Sequence, residues 1–142
     1  MRIRMGIEGS DQLDAALRAL PDRVGKRVIK KGIVAMGRHF VLEMRKEVNK
    51  KTDGQGDTAR SIKNSSGGLR QQFVRINSPV WHLLEYGTDN RFQRSGKFTG
   101  RISDNKFSFV RPVLFREADK AKANFEIRVR SEIEKLGVSL LP

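Results

Sequence analysis

The chain has 142 residues, with 29 lysines and arginines against 16 aspartates and glutamates, so its formal net charge is +13. It contains no cysteine and only 2 histidines, which excludes a disulfide scaffold, a thiolate zinc site, a cysteine nucleophile and a multi-histidine metal site. The length fits one domain from residue 1 to 142, and no apolar run approaches the roughly 20 residues that span a membrane, so neither a signal sequence nor a membrane anchor is expected.

The first third of the chain predicts a strand followed by two helices. Residues 3–7 alternate between apolar and polar side chains, which is typical of a short half-buried strand. Ser10 is a good N-cap for the short amphipathic helix that follows, and that helix ends at Pro21. From 22 to 49, apolar residues recur mostly at steps of four, which predicts a long amphipathic helix. Gly32 lies on its apolar side and predicts the close approach of another element.

The centre of the chain predicts a hairpin and a short helix. Residues 58–64 and 69–77 have strand character and are separated by a flexible turn at 65–68, so we expect an antiparallel pair. The dense apolar segment 80–86 ends at Gly87. This pattern predicts a two-turn helix closed by a glycine with positive φ.

Residues 88–108 are basic, contain glycine and have few aliphatic side chains. A connection this long inside a compact domain usually has a function, and we expect a long loop or a β-hairpin arm that becomes ordered in an assembly. Arg111-Pro112 then starts a last amphipathic helix, which stops at Gly137. Because strands and helices are segregated, the layout favours an α+β fold in which a small antiparallel sheet packs against two long amphipathic helices. The expected core residues are Phe40, Met44, Leu83, Leu114, Phe125 and Ile133.

No residue pattern predicts catalysis, so we expect neither an enzyme nor a cofactor or metal site. His82 and Glu85 stand three positions apart on the predicted short helix, where they would pair a base with a carboxylate, but no nucleophile accompanies them. The glycine-containing loop 53–57 lacks both the ligand pattern of a calcium site and the lysine of a P-loop. Trp81 and Tyr86 are expected to be core or interface anchors.

The excess of basic residues indicates a polyanionic neighbour, which could be nucleic acid, a membrane surface or an acidic protein, or else a solvated basic surface. Zinc-finger spacing and the aromatic motifs of RNA-binding folds are both missing from the sequence. Charge alone gives a phosphate affinity that falls with salt and does not define a function. The candidate polyanion contacts in the basic segment are Arg91, Arg94, Lys97, Arg101 and Lys106.

Four pieces of the chain carry a resemblance. They are Gly9-Ser10-Asp11-Gln12-Leu13 through Pro21, Asp57-Thr58-Ala59-Arg60-Ser61-Ile62, Trp81-His82-Leu83-Leu84-Glu85-Tyr86-Gly87-Thr88, and Phe109-Val110-Arg111-Pro112-Val113-Leu114. In this order they resemble segments of the small neck or tail-completion proteins of long-tailed bacteriophages, the gene-product-10-like putative tail components. Glu85-Tyr86-Gly87-Thr88 and Arg111-Pro112 are the specific pieces, mainly in combination.

This resemblance implies a non-enzymatic virion protein of the head–tail junction, assembled in the host cytoplasm, that forms a hexameric ring between the head connector and the tail tube. Its partners would be copies of itself, other neck and tail proteins and, non-specifically, DNA passing through the channel, with no membrane. The alternative is a basic nucleic-acid-binding protein acting alone in genome handling. The residues expected at a subunit or ring interface are Trp81, Tyr86, Gly87, Thr88, Phe92, Phe98, Phe107, Arg111 and Pro112.

Overall fold

The computed structural model describes residues 11–52, 57–68, 71–92, 98–102 and 106–137. In chain order its elements are α1 (Asp11–Ala19), α2 (Asp22–Lys51), α3 (Asp57–Ser61), β1 (Ile62–Ser66), β2 (Gln72–Ile76), α4 (Trp81–Tyr86), β3 (Thr88–Phe92), β4 (Phe98–Ile102) and α5 (Val110–Glu134). The strand predicted at 3–7 and the cap predicted at Ser10 lie outside the described residues. Helices α1, α2, α4 and α5 confirm the predicted helical segments.

Helices α2 and α5 lie antiparallel along each other and form the body of the molecule. Their closest approach is at Gly32, where an added Cβ would lie 2.6 Å from Cγ2 of Val129 and 2.8 Å from the ring of Phe125. Both distances are shorter than side-chain contacts allow, so only glycine fits here without displacing α5. The close approach predicted at this glycine is therefore confirmed.

Buried apolar side chains form two clusters. The main cluster comprises Phe40, Val41, Met44, Val48, Ala59, Ile62, Phe109, Val110, Val113 and Ala121. The second cluster comprises Leu13, Val28, Phe125, Val129 and Ile133, near the beginning of α2 and the end of α5. Both long helices and the first strand contribute to the main cluster, which fixes the sheet on the helical body.

Four of the six expected core residues are buried, but Leu83 and Leu114 are only half-buried. The prediction was wrong for these two because of how their helices meet the body. In the short α4, the neighbouring Leu84 packs against the main cluster and Glu85 is the fully buried side chain. In α5, the fully buried position beside Leu114 is Val113, and Leu114 lies at the margin of the main cluster.

Strands β1 and β2 form the predicted antiparallel hairpin, with Ile62 opposite Ile76 and Ser66 opposite Gln72. The predicted first strand, 58–64, was wrong in its first half, because residues Asp57–Ser61 form helix α3. The adjacent Thr58 and Ala59 are both buried. A strand would turn one of two neighbouring side chains outwards, whereas one helical turn buries both.

Helix α4 ends at Gly87, whose φ of 73° and ψ of −179° confirm the predicted positive φ. Strands β3 and β4 follow as an antiparallel pair, with Thr88 opposite Ile102 and Phe92 opposite Phe98. The segment expected to be a loop or an arm is therefore a hairpin, and we call residues 88–102 the arm. A small antiparallel sheet on two long helices confirms the predicted α+β class. None of the helices in the described ranges is long and apolar enough to cross a membrane.

Candidate interface at the base of the arm

The carboxylate of Glu85 joins the two chain segments that flank the arm. It is buried, with 2% of its surface exposed. Its Oε2 accepts hydrogen bonds from the main-chain N–H groups of Phe109 and Val110, each at 2.9 Å, and its Oε1 accepts one from Arg111 at 3.0 Å. The end of α4 and the start of α5 are thereby held together, and we call this contact the arm base.

These bonds complete the N-terminus of α5. The N-cap residue Phe109 makes no side-chain cap bond of its own, although the first four N–H groups of a helix lack partners inside the helix. Glu85 satisfies the first three of them, and the fourth position is Pro112, which has no N–H to satisfy. The negative carboxylate also suits the positive end of the helix dipole.

Trp81, Tyr86 and Arg111 form an aromatic and basic surface beside the arm base, which we call the ledge. The guanidinium carbon of Arg111 lies 5.0 Å from the centroid of the Tyr86 ring, within the range of a cation–π contact. The rings of Trp81 and Tyr86 are 6.4 Å apart and tilted by 56°. Trp81 also packs against the main cluster, whereas Tyr86 is 48% exposed. The ledge therefore presents a fixed aromatic surface to the solvent.

The structure brings most of the expected interface residues to this base. Gly87 makes the sharp turn from α4 into β3, and Thr88 begins β3. The hydroxyl of Thr88 is buried and has no hydrogen-bond partner among the described residues. Phe107 is half-buried, and the amine of Lys106 lies 5.2 Å from its ring centroid. Pro112 lies in the first turn of α5.

Four of the other expected residues belong to the strands of the arm. Phe92 and Phe98 are register partners at the far end of the described hairpin. Arg91 is paired with Gly100, and Arg101 lies in β4. The candidate polyanion contacts Arg94 and Lys97 lie outside the described residues.

The role of Glu85 was not predicted from the sequence, where this residue was considered only as a partner of His82. His82 is exposed, while Glu85 turns inwards to main-chain donors. A signal was present in the sequence. A single carboxylate stands among the apolar residues of the short helix, and a helix that begins at Val110 without a polar side-chain cap needs an acceptor from elsewhere.

A second polar cluster connects α2 with α5 below the arm base, around Glu117. This carboxylate is 3% exposed. It accepts a hydrogen bond from Nε of Arg116 at 2.9 Å, lies 3.2 Å from the amine of Lys120, and is 3.2 Å from Nε2 of His39 on α2. The hydrogen bond from Arg116 is the main reason that the pKa of Glu117 is lowered from 4.5 to about 2.

Glu47 extends this cluster towards the start of α5. Burial acts to raise the pKa of its carboxyl group, but the hydrogen bond and charge of Lys51, together with Arg116, outweigh burial and lower the pKa. Lys51 also donates a hydrogen bond to the main-chain oxygen of Ser108. The end of α2 is thus tied to the segment just before α5.

Within the described ranges, no three His, Asp or Glu side chains come together as a metal ion would require. Comparison of the chain with protein-family models, with curated proteins and with solved structures gives no match.

Proposed function

We propose that the chain is a structural, non-enzymatic protein of the bacteriophage head–tail junction, a neck or tail-completion component that forms a ring between the head connector and the tail tube. The observation that carries this proposal is the arm base. The two most specific pieces of the resemblance, Glu85-Tyr86-Gly87-Thr88 and Arg111-Pro112, meet there in one hydrogen-bonded unit. Residues that are distant in sequence thus serve one structural purpose, which is to fix an arm on the helical body.

A ring subunit needs two different complementary faces, because a heterologous contact closes into a ring only by repeated rotation. The arm is suited to supply one of them. Strands β3 and β4 form a two-stranded sheet, so each has one edge without a partner strand among the described residues. Such an edge can add to the sheet of a neighbouring subunit through main-chain hydrogen bonds. An isolated two-stranded hairpin is also only marginally stable in water, so a partner would stabilise it.

Joining of purified heads and tails tests the proposal directly. We expect that a variant lacking residues 90–105 folds, because the arm base lies outside the deletion, but does not join heads to tails. Replacing Phe92 and Phe98 by alanine should reduce joining, whereas Phe115→Ala should not. Phe115 is the matched control because it is an aromatic residue on α5 with 85% of its surface exposed. Normal joining by the shortened variant would refute a role for the arm.

Hydrogen exchange before and after assembly tests the mechanism. We expect the main-chain amides of residues 89–108 to gain protection when the chain enters a ring or joins a connector, because the strand edges then acquire partners. Unchanged protection across this segment would contradict the proposal. A protein that stays monomeric, never associates with heads or tails and binds DNA with a steep salt dependence would instead support the alternative of an independent nucleic-acid-binding protein.

A further inference from the structure

The hairpin of β1 and β2 has one face packed on the helical body and one face open to solvent. Ile62 belongs to the main cluster, Val74 packs against it, and the amide of Asn64 donates to a main-chain oxygen of α2 at 3.2 Å. Because side chains alternate along a strand, the intervening residues point away from the body. Lys63 and Arg75 are two of these outward residues, and both are exposed.

Lys63 and Arg75 are register partners, directly opposite each other on neighbouring strands. Opposite residues of an antiparallel pair share one face, with Cα atoms about 4.5–5.5 Å apart, and like charges in this arrangement destabilise the pair. Among the described residues neither cation has an ion-pair partner. Two unneutralised positive charges are therefore held side by side, at a cost to the hairpin.

We propose that Lys63 and Arg75 form a clamp for a backbone phosphate of double-stranded DNA. Two cations on one face can contact the same phosphate, and a phosphate between them removes their mutual repulsion. This inference goes beyond the proposed function, since it concerns a different surface from the arm and holds for the isolated chain.

The composition of the outer face favours a DNA duplex over an acidic protein or a single strand. A protein partner normally needs an exposed apolar or aromatic anchor, and a single strand needs a ring on which bases stack. Phe73 is the aromatic residue of this face, but it is half-buried and its ring closes the turn against Gly67, where an added Cβ would lie 2.4 Å from it. The exposed side chains of this face are the cations Lys63 and Arg75. Cations contact phosphates without regard to the base sequence.

Helix α2 extends the positive surface past the hairpin. Gly37 faces the hairpin, since an added Cβ would lie 2.7 Å from Oδ1 of Asn64. Lys30 lies on the same side of α2 as Gly37, seven residues towards the N-terminus, and Arg27 and Arg23 follow at steps of three and four residues. Arg23 and Arg27 are exposed, Lys30 is half-buried, and none of the three forms an ion pair within the described ranges. The regularly spaced phosphates of a duplex can contact successive cations along this side of α2.

Fluorescence anisotropy of the full chain with a labelled mixed-sequence duplex tests the clamp. The titrations are made between about 50 and 200 mM salt, the range in which phosphate contacts strongly change the affinity. We expect Lys63→Gln/Arg75→Gln to weaken binding about tenfold at the low-salt end, as the loss of two partly screened ion pairs implies. The slope of log affinity against log salt should fall by about 1, because the two cations together neutralise one phosphate.

Lys122→Gln/Arg130→Gln is the matched control. These residues are likewise one lysine and one arginine, both lie on α5, and neither has an ion-pair partner among the described residues. The control should change the affinity less than about twofold, because it removes the same net charge from a different surface. An equal loss in both double variants would overturn the clamp, and so would unchanged binding in the hairpin variant.

Two further measurements keep the test decisive. The melting temperature of Lys63→Gln should equal or exceed that of the unmodified chain, because the substitution removes a like-charge pair. A loss of DNA binding that accompanies unfolding would therefore contradict the proposal. If the hairpin variant loses affinity for polyglutamate but keeps its affinity for DNA, the occupant is an acidic protein segment and the proposal is wrong. Neither result bears on ring formation through the arm, so this proposal and the proposed function fail separately.

Discussion

The two hairpins among the described residues have the same number of strands and the same strand length, but they are held in different ways. The hairpin of β1 and β2 is packed along one face, with Ile62 fully buried and Val74 and Ile76 against the main cluster. Strands β3 and β4 of the arm contact chiefly each other among the described residues. The arm is positioned instead from its base, where Glu85 caps α5.

This difference shows that the interactions that stabilise a hairpin need not be the ones that fix its position on the body. In the packed hairpin, apolar burial provides both the stability and the position, so a change in its inner face affects the whole fold. The arm obtains its position from hydrogen bonds that lie outside its strands, so under the proposed function these strands can pair with those of a partner. Substitutions in the two hairpins should therefore have opposite effects on folding and on assembly.

The largest expected effect comes from Ile62→Ala in the packed hairpin. Because Ile62 is fully buried, the substitution should lower the free energy of unfolding by about 2–5 kcal/mol. Phe98→Ala in the arm should change it by less than about 0.5 kcal/mol in the free chain. Chemical denaturation measures both. Equal losses would mean that the arm packs on the body as closely as the first hairpin does.

The next effect is expected from Glu85→Ala at the arm base. Three main-chain donors at the start of α5 lose their acceptor, which should cost about 2–4 kcal/mol. Amide exchange should accelerate first in residues 109–111 and in the arm, while β1 and β2 keep their protection. Glu85→Gln keeps an acceptor oxygen and should recover part of the loss. Uniform acceleration in both hairpins would contradict separate attachment.

A smaller effect is expected from Gly87→Val. The φ of 73° with ψ of −179° is a region that is essentially restricted to glycine, so the valine should cost about 1–3 kcal/mol through backbone strain. Thr88→Ser is the adjacent control and should be far milder. Thermal denaturation and the head–tail joining yield are the measurements. Similar results for the two variants would show that the turn does not depend on glycine.

The last expected effect, that of Glu117→Gln, depends on pH, because the substitution removes a charge that stabilises the fold at neutral pH and not in strong acid. The pKa of Glu117 is lowered from 4.5 to about 2, so its charge stabilises the fold above about pH 5, and this contribution is lost as the pH falls towards 2. The variant should lose stability less steeply over that window in denaturant titrations. Glu126→Gln, on the same helix, is the control and should follow the unmodified chain. A parallel decline in all three proteins would exclude Glu117 as a source of acid sensitivity.

Periodicity in the sequence was sufficient to predict the elements that carry a repeating pattern. The apolar steps of α2 and α5, the hairpin of β1 and β2, and the glycine stop at Gly87 all follow from local spacing. Helix α3 was missed because five residues are too few to establish a helical period. Leu83 and Leu114 show a further limit, since the pattern gives the apolar side of a helix but not how much of that side a neighbour covers.

The arm base could be predicted only in part. The sequence singled out the residues around Gly87 and Arg111-Pro112 but gave no reason for them to meet. The hydrogen bond from Phe109 to Glu85 spans 24 positions, and local spacing does not encode a contact at that distance. The pairing of Lys63 with Arg75 could not be predicted for a similar reason, since it depends on the register of the two strands.

The hydrogen bonds of Glu85 also join the two ends of the chain segment that contains the arm, so this segment is a closed loop. The entropy lost on closing a flexible loop grows only with the logarithm of its length, so doubling the segment costs about 0.6 kcal/mol. The arm can therefore lengthen or shorten with little effect on the body, provided that Glu85 and the start of α5 are kept. Under the proposed function, the length of the arm can thus match the distance to its partner.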